Sequence, residues 1–467
     1  NEEAAEIFEE VLELWQETLG ESHQKTLKGM NNLGRVRHGL GELEEAEALI
    51  SRALELRHEV LGENHIDTLR SQHDLAKLYM DLERYEDSET LLKKTLIQDE
   101  ENLGEQHPYT FETLNTLAQL QRQTDQMEDA FHTQQQIFER RNKFLDQMLW
   151  ATSENAREGY IRLHRPELYR YLSMVPTLES DAAGQELMRI SLFRKGLLLQ
   201  VASQIHQVAK LSDDPALTGI SDELLATRKK LAALTLSGPT PDTATTFLET
   251  MNEMEDRINE LEGELGRASI RFREAATDIS LARLEDSLPD GSAVVDYMIF
   301  REQDESKLQV AILRKEEGES QYDHYLFEDL EGINAAIKEY RELIQDEDAD
   351  DDEIMEFGME VYTKVWAPIA EKLGEIENVY VVPDGMLNIL PFNAMVTEDE
   401  LYLLQAVDLH TISSSRDLIP SDVPLASGGY MLMAGPDYDT DEVTGKSVLA
   451  SIKGKRSASA AQQSMRG

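Results

Sequence analysis

Cysteine is absent from the 467 residues of the chain. Its absence excludes disulfide bonds, zinc ribbons and a thiol nucleophile from these residues. Long hydrophobic runs are also missing, because no apolar stretch reaches the roughly 18 residues that a membrane-spanning helix requires. No signal peptide opens the sequence. We therefore expect a cytoplasmic protein that does not contact a membrane.

Basic residues are scarce. The chain has 45 Lys and Arg against 91 Asp and Glu, and its formal net charge is −46. Phosphate binding depends on Lys and Arg, so this charge argues against direct binding of nucleic acid or of an anionic membrane. The acidity is typical of a highly solvated surface, and a role on nucleic acid would need a partner protein.

Motifs that would hold a metal or a nucleotide are incomplete. Two acidic stretches imitate a calcium loop but lack its sixth-position Gly, and they have Phe357 and Val448 at the twelfth position, which needs Glu. Thr444-Gly-Lys-Ser447 imitates a phosphate-binding loop, but Thr440 replaces its first Gly. We expect neither metal nor cofactor. The acidic stretches are Asp346, Asp348 and Asp350, and Asp437, Asp439 and Asp441.

The N-terminal third repeats with a period of 42 residues. Leu-Gly-Glu-x-His begins at Leu19, Leu61 and Leu103, and each copy is followed by Thr and an apolar residue. We predict helix-turn-helix units in which Gly ends one helix and His lies in the turn, since repeats ~10 Å apart cannot share a metal ion. The pattern resembles tetratricopeptide repeats of the kinesin light chain type. Residues 4–18 resemble the second helix of an earlier, incomplete repeat.

Such an array implies a concave groove that binds a partner protein or peptide. The alternative is that the array only packs on the rest of the chain. A helical region without a clear repeat follows. In it, apolar residues from Phe247 to Leu265 form the seam of a helical hairpin after the turn Ser237-Gly-Pro-Thr-Pro241, and Ser191–Leu199 contains an Arg-Lys-Gly sequence.

Strands begin after Leu288-Pro-Asp-Gly-Ser292. We predict strands at 293–300, 308–313, 378–382 and 430–435, and helices at about 330–345 and 354–373. Strands that alternate with helices predict an α/β domain with a largely parallel sheet.

The sequence Val381-Val-Pro-Asp-Gly-Met-Leu-Asn-Ile-Leu-Pro-Phe392 resembles the first core strand and turn of the CHAT family. CHAT domains are caspase-like, separase-related cysteine peptidase domains that occur fused to tetratricopeptide repeats. Gly435-Pro-Asp-Tyr438, the Ser-rich Ser413–Leu418 and the Arg-Lys-Gly sequence are similar to further features of these proteins. The resemblance implies an α + α/β fold with an N-terminal helical solenoid, a helical linker bundle and the front part of a caspase-like α/β sandwich.

The predicted boundaries are 1–140 for the repeats, 141–286 for the helical region, 287–443 for the CHAT part and 444–467 for a basic flexible tail or processing loop. By the resemblance, the catalytic His and Cys are expected C-terminal to Gly467. We therefore expect the regulatory and non-catalytic portion of a cysteine endopeptidase, inactive by itself. Its remainder is expected to be disordered, to lie outside these residues, to be cleaved off or to be degenerate. The alternative is a non-enzymatic scaffold with a degenerate caspase-like domain.

The resemblance also implies activation through a protein partner, with a CRISPR effector complex among the candidates, and cleavage of a protein substrate in antiviral defence or signalling. Asp384, at the carboxyl end of a predicted strand, is the candidate substrate-binding residue; a cap on its own turn is the competing interpretation. His410 is not assigned as the catalytic base. In the tail, four basic residues are candidate processing sites, namely Lys453, Lys455, Arg456 and Arg466.

Overall fold

The computed structural model describes residues 2–198, 201, 215–237, 246–269, 279–346 and 348–420. The predicted strand 430–435, the acidic stretch from Asp437, Thr444–Ser447 and the basic tail, with its four candidate processing sites and its last residue Gly467, lie outside the described residues.

Seven helices form the N-terminal array. Neighbouring helices pack antiparallel in pairs, and small residues such as Gly34, Ala76 and Ala118 lie buried where the pairs cross. The helices are α1 (Glu2–Leu19), α2 (Gln24–Leu40), α3 (Leu43–Leu61), α4 (Ile66–Asp81), α5 (Tyr85–Asn102), α6 (Pro108–Gln123) and α7 (Met127–Ala151).

The repeated motif builds the turn between units. Gly62 has a φ of +89°, which Gly adopts without steric cost. The Nδ1 atom of His65 then accepts a hydrogen bond of 3.1 Å from the backbone N–H of Asp67 and so caps α4. The hydroxyl of Thr68 donates to the carbonyl of Gly62 at 2.9 Å. The other two copies repeat these contacts, so the predicted place of the histidines in the turn is confirmed.

Three helices, α8 (Glu154–Leu163), α9 (Arg165–Leu172) and α10 (Ser180–Arg194), follow the array. Helix Phe247–Ser269 packs against helix Pro215–Ser237 and also against α7. The two helices of the predicted hairpin pack on each other, and Leu261 and Leu265 of its seam are buried in a small core with Leu217 and Leu224. Residues 238–241 of the predicted turn lie outside the described residues.

Five strands form one mixed sheet of order β3-β2-β1-β4-β5. Strands β1, β2 and β3 pair antiparallel, whereas β4 and β5 run parallel to β1. The prediction of a largely parallel sheet is wrong for these five strands. Strands β3 and β5 were not predicted, because the charged and aromatic residues of β3 lack a clean alternation and β5 has only four residues. The strands are β1 (Ser292–Glu302), β2 (Glu305–Glu316), β3 (Glu319–Phe327), β4 (Asn378–Val382) and β5 (Asp408–Thr411).

Helices cover both faces of the sheet. On one face, Val295 and Tyr297 of β1 pack against helices Leu330–Ile344, Asp351–Val365 and Ala367–Leu373. On the other face, the neighbouring positions of β1 pack against α9, α10 and helix Leu281–Ser287. Strand β1 is consequently buried along nearly its whole length, as expected for a strand between two helical layers.

One local prediction needs correction. The single helix predicted at 354–373 is two helices that meet at Trp366, because Pro368 starts a new helix and Trp366 fills the core. The acidic stretch from Asp346 connects helix Leu330–Ile344 to helix Asp351–Val365, and Asp350 caps the second helix. The carboxylate of Asp350 accepts the backbone N–H of Asp352 at 2.9 Å and begins helix Asp351–Val365. In the described parts of the chain, no group of three or more metal-ligating side chains is arranged to hold an ion.

Candidate functional site

The carboxyl ends of β4 and β5 meet at one edge of the sheet. Val382 at the end of β4 lies opposite Asp296 of β1, and the N–H of Ile412, just after β5, donates to the carbonyl of Val381 at 2.9 Å. Segments that follow parallel strands in α/β domains are the usual place of ligand-binding and catalytic residues. We refer to these segments, residues 383–385 and 412–418, as the carboxyl edge.

A buried ion pair lies beneath the carboxyl edge. Helix α10 ends at Arg194, and the next residue, Lys195, reaches under β4. Its Nζ lies 3.0 Å from Oδ1 of the fully buried Asp296, as an ion pair rather than a hydrogen bond. The same Nζ donates to the carbonyls of Val382 and Pro383 at 3.3 and 3.1 Å. It also donates to the carbonyl of Tyr297.

The second oxygen of Asp296 binds two hydroxyls. Oδ2 accepts hydrogen bonds from Ser191 of α10 at 2.7 Å and from Ser415 at 2.6 Å. A buried carboxylate is costly unless a cation and donors surround it, and this one has both. The pair therefore fastens α10, β1 and the segments after β4 and β5 to a common point.

Gly196 lets the segment after β5 approach α10. Its φ is +68°, and a Cβ atom at this position would lie 3.1 Å from Cβ of Ser414. The hydroxyl of Ser414 donates to the carbonyl of Lys195 at 3.1 Å. The Arg-Lys-Gly sequence thus has a specific structural role, in which Lys reaches the strand ends and Gly makes room for the serines.

Asp384 holds its own turn. One carboxylate oxygen accepts the backbone N–H of Gly385 and the other accepts that of Ile299 on β1, both at 2.8 Å. Gly385 has a φ of +54°, which agrees with the predicted tight turn. These contacts match the competing interpretation of Asp384 as a turn cap. His410 lies on β5, where its ring stacks on Tyr380 with 5.0 Å between centroids.

The inner helices of the array, α2, α4 and α6, line a concave groove. Two neighbouring cavities of about 820 and 590 Å³ occupy it, and Lys77, Asn115, Thr116 and Arg170 line both of them. Arg170 comes from α9, and its guanidinium donates to Oδ1 of Asn115 at 2.9 Å. Burial lowers the pKa of Arg170; Glu167 opposes this shift and Arg122 adds to it.

A polar chain of contacts leads from the groove into the core. Asn115 donates to Glu167 at 3.2 Å, and Glu167 accepts two hydrogen bonds from Arg141, at 2.9 and 3.3 Å. Burial would raise the pKa of Glu167, but hydrogen bonds from His164 and Arg141 outweigh it and lower that pKa to about 2. Burial lowers the pKa of the neighbouring Arg194 to about 10. Arg194 immediately precedes Lys195 at the end of α10.

Several of these residues were missed at the sequence level. Lys195 belonged to a recognised sequence, but its partner Asp296 stands in a hydrophobic strand, 101 positions away by their numbers, and no local pattern connects the two. The residues that line the groove could have been found from the repeat period. The period of 42 places Asn31, His73 and Asn115 at one repeat position and Arg35, Lys77 and Gln119 at another.

Comparison with protein families identifies both parts of the chain. Residues 1–49, 28–81 and 67–143 match the tetratricopeptide repeat model, and residues 355–463 match the CHAT domain model. The predicted combination of repeats and CHAT domain is confirmed. The CHAT match begins within helix Asp351–Val365 and extends into the predicted tail. In the described parts of the chain, no helix is long and apolar enough to cross a membrane.

The catalytic His and Cys implied by the CHAT resemblance are not among the described residues. They are expected C-terminal to Gly467, whereas the described residues end at Pro420. No described side chain is therefore assigned as the nucleophile or the base, and the position of the catalytic pair stays a prediction.

Two solved structures are similar to part of the chain. Both contain nearly identical TPR-like repeats of a protein described as a putative kinesin light chain from Podosopora anserina. One is 23% identical, covers 41% of this chain and 86% of its own, and has a TM-score of 0.34. The other is 21% identical, covers 38% and 89%, and has a TM-score of 0.29. No curated protein matches the chain.

Proposed function

The chain joins tetratricopeptide repeats to a CHAT domain of the caspase-like peptidase family, and from this premise we propose that it is the regulatory and non-catalytic portion of a cysteine endopeptidase. In this proposal a protein or effector partner binds the repeats and activates the enzyme, which then cleaves a protein target. Defence or signalling is the proposed setting, a CRISPR effector complex is a candidate partner, and the cytoplasm is the proposed location.

The observation that carries this proposal is the organisation of the carboxyl edge. A caspase-like mechanism needs a thiolate and a histidine base at neighbouring strand ends, with backbone N–H groups to stabilise the oxyanion. Lys195 and Asp296 hold the ends of β4 and β5 in a fixed arrangement that could support such groups. The 467 residues contain no cysteine, and we propose, as the CHAT resemblance implies, that the nucleophile and its histidine base lie C-terminal to Gly467.

The proposal assigns substrate binding to Asp384 and processing to the basic tail. Both oxygens of Asp384 hold backbone N–H groups, and we propose that its remaining lone pairs face a basic side chain of the substrate. Lys453, Lys455, Arg456 and Arg466 are proposed positions of processing during activation. Mass spectrometry of the protein under activating conditions tests the second role, and absence of cleavage between 444 and 467 would remove it.

A peptidase assay tests the main proposal. Purified residues 1–467 are incubated with a peptide library, and products are identified by mass spectrometry. We expect no cleavage by this chain and cleavage by the product of the complete gene in the presence of its partner. Hydrolysis by residues 1–467 alone would contradict the proposal, since they cannot supply a thiolate.

A scaffold without enzymatic activity is the second candidate. It is favoured by the same absence of cysteine, and the rest of the gene distinguishes the two. A His-Gly turn followed by a Cys after an apolar strand supports the peptidase. If those residues are absent, or if replacing that Cys with Ala leaves activity unchanged, the cysteine peptidase proposal fails.

A further inference from the structure

Helix α1 has an apolar side that is exposed to water. Ile7 is 62% exposed and Leu14 is 56% exposed, and the half-buried Val11 lies between them. Spacings of four and three residues put these three side chains on one side of the helix. The other side of the helix, with Ala5 and Leu12, is buried in a core that α1 shares with α2 and α3. We call Ile7, Val11 and Leu14 the α1 stripe.

The repeat period shows what covers these positions in the next unit. A shift of 42 residues takes the α1 stripe to Leu49, Ala53 and Leu56 of α3. Ala53 is fully buried and Leu56 is 4% exposed, in a core that includes apolar side chains of α2. A Cβ atom at Gly34 of α2 would lie 3.3 Å from Cβ of Leu49. Helix α2 therefore covers on α3 the positions that are exposed on α1.

A further repeat agrees with this comparison. A second shift by 42 residues leads to positions on α5 of which none is exposed, namely Leu91, Thr95 and Gln98. The α1 stripe thus has the spacing and the apolar character of a surface on which another helix packs.

Charge indicates the kind of helix that fits the α1 stripe. Helix α1 has seven glutamates and no basic residue, whereas α2 has four Lys and Arg residues and no Asp or Glu. Arg37 of α2 contacts Glu9 of α1 and lies 3.5 Å from Glu45 of α3. By the repeat period, Glu45 corresponds to Glu3 on α1, which is exposed. A basic helix on the α1 stripe would therefore find acidic partners beside it, as α2 does on α3.

We propose that the α1 stripe binds an amphipathic helix of a partner protein, with the apolar side chains of that helix on the stripe and its Lys or Arg beside the glutamates of α1. This inference rests on the proposed function, in which a partner binds the repeats. It adds a binding surface and the chemistry of the partner. Two copies of α1 would not suit each other, because their glutamates would be brought together.

A labelled synthetic peptide with the sequence of α2, Gln24–Leu40, tests this proposal, because α2 covers the equivalent positions of α3. Its binding to residues 1–467 is measured by fluorescence anisotropy. We expect the double variant Ile7→Glu/Leu14→Glu to weaken binding by about tenfold or more, since it places charge on the apolar contact. Both side chains are exposed, so the fold should be retained, as circular dichroism would check.

The matched control is Val60→Glu/Ile97→Glu. These two apolar residues of the array are 49% and 57% exposed, and the double variant makes the same change in net charge. They do not belong to a repeated apolar stripe, because Thr18 and Glu55 occupy the same positions one repeat earlier. We expect this variant to bind the peptide as the unmodified chain does. A scrambled peptide of the same composition, and so of the same charge, should bind at least about tenfold more weakly than the peptide itself.

Hydrogen exchange locates the bound helix. We expect the peptide to slow exchange in α1, and we expect α1 to exchange equally fast in residues 1–467 and in the complete gene product when each is alone. Equal losses in the two double variants, equal binding of the scrambled peptide or undetectable binding would overturn the proposal. Slower exchange of α1 in the complete gene product alone would also overturn it, because a helix of the same polypeptide would then cover the α1 stripe.

Sedimentation velocity tests whether a second copy occupies the α1 stripe. We expect Ile7→Glu/Leu14→Glu to leave the oligomeric state unchanged. A dimer that this variant dissociates would overturn the proposal. None of these outcomes affects the peptidase proposal, because cleavage by the complete gene product is measured separately.

Discussion

Lys195 and Asp296 form a buried ion pair, with Nζ 3.0 Å from Oδ1, that connects α10 to the ends of β4 and β5. Removal of one partner leaves the other charge buried and uncompensated. We predict that Lys195→Met lowers the free energy of unfolding by about 3–5 kcal/mol, as measured by urea denaturation. Lys93→Met, which removes an exposed pair with Glu89, should cost less than about 1 kcal/mol. Similar losses in both variants would contradict the structural role of Lys195.

Gly34 and Ile50 illustrate how the repeats differ in packing. A Cβ atom at Gly34 would lie 2.6 Å from Cγ1 of Ile50, although the next repeat has Ala76 and Leu92 at the equivalent positions. We predict that Gly34→Ala destabilises the array by about 1–3 kcal/mol through overpacking. Adding Ile50→Leu should recover most of this loss in thermal denaturation. If the double variant is no more stable than Gly34→Ala, the clash with Ile50 is not the cause.

His324 on β3 makes stability depend on pH. Burial lowers the pKa of its imidazole from 6.5 to about 4, and Lys372 contributes in the same direction. Between these values the unfolded chain binds the proton and the folded protein does not, so His324 opposes folding as the pH falls from 6.5 towards 4. We predict that His324→Gln reduces the loss of stability between pH 7 and pH 5 by about 2 kcal/mol. A pH profile that is unchanged in His324→Gln would contradict this role of the buried imidazole.

Asp384 is expected to stabilise its turn. Asn at this position has one oxygen, which can accept the N–H of either Ile299 or Gly385. Its NH₂ group then faces the remaining N–H, so two donors meet. We predict that Asp384→Asn costs about 1–3 kcal/mol in urea denaturation. Glu356→Gln, on the exposed side of helix Asp351–Val365, is the control and should cost less than about 0.5 kcal/mol.

The role of Asp384 in substrate binding requires a second measurement on the same variant. Cleavage rates of peptides with basic and with neutral residues at the scissile site are compared in the active complete protein. A changed preference supports the proposed contact. If the peptide preference and the cleavage rate are unchanged, Asp384 only stabilises its turn and does not contact the substrate.

Repetition made much of the array predictable. The motif from Leu61 to His65 recurs at a fixed period, and each of its residues acts within a few positions of itself, as His65 does on Asp67. Strand β4 was equally predictable from the sequence, because an apolar run that ends in Pro-Asp-Gly specifies a buried strand and a turn through local sterics. Strand β3 could not be predicted from the sequence, since it forms by pairing with β2 and its own residues show no clear alternation.

The sequence by itself determined the helical repeats and their turns, strand β4 and the likeness to a CHAT domain, because these depend on residues close together in the chain. Only the tertiary structure decided which distant residues meet. It brought Lys195 to Asp296 and Ser415, and it placed Arg170 of α9 beside Asn115 in the groove. Such pairs are selected by the packing of whole helices and strands, so they have no local pattern in the sequence.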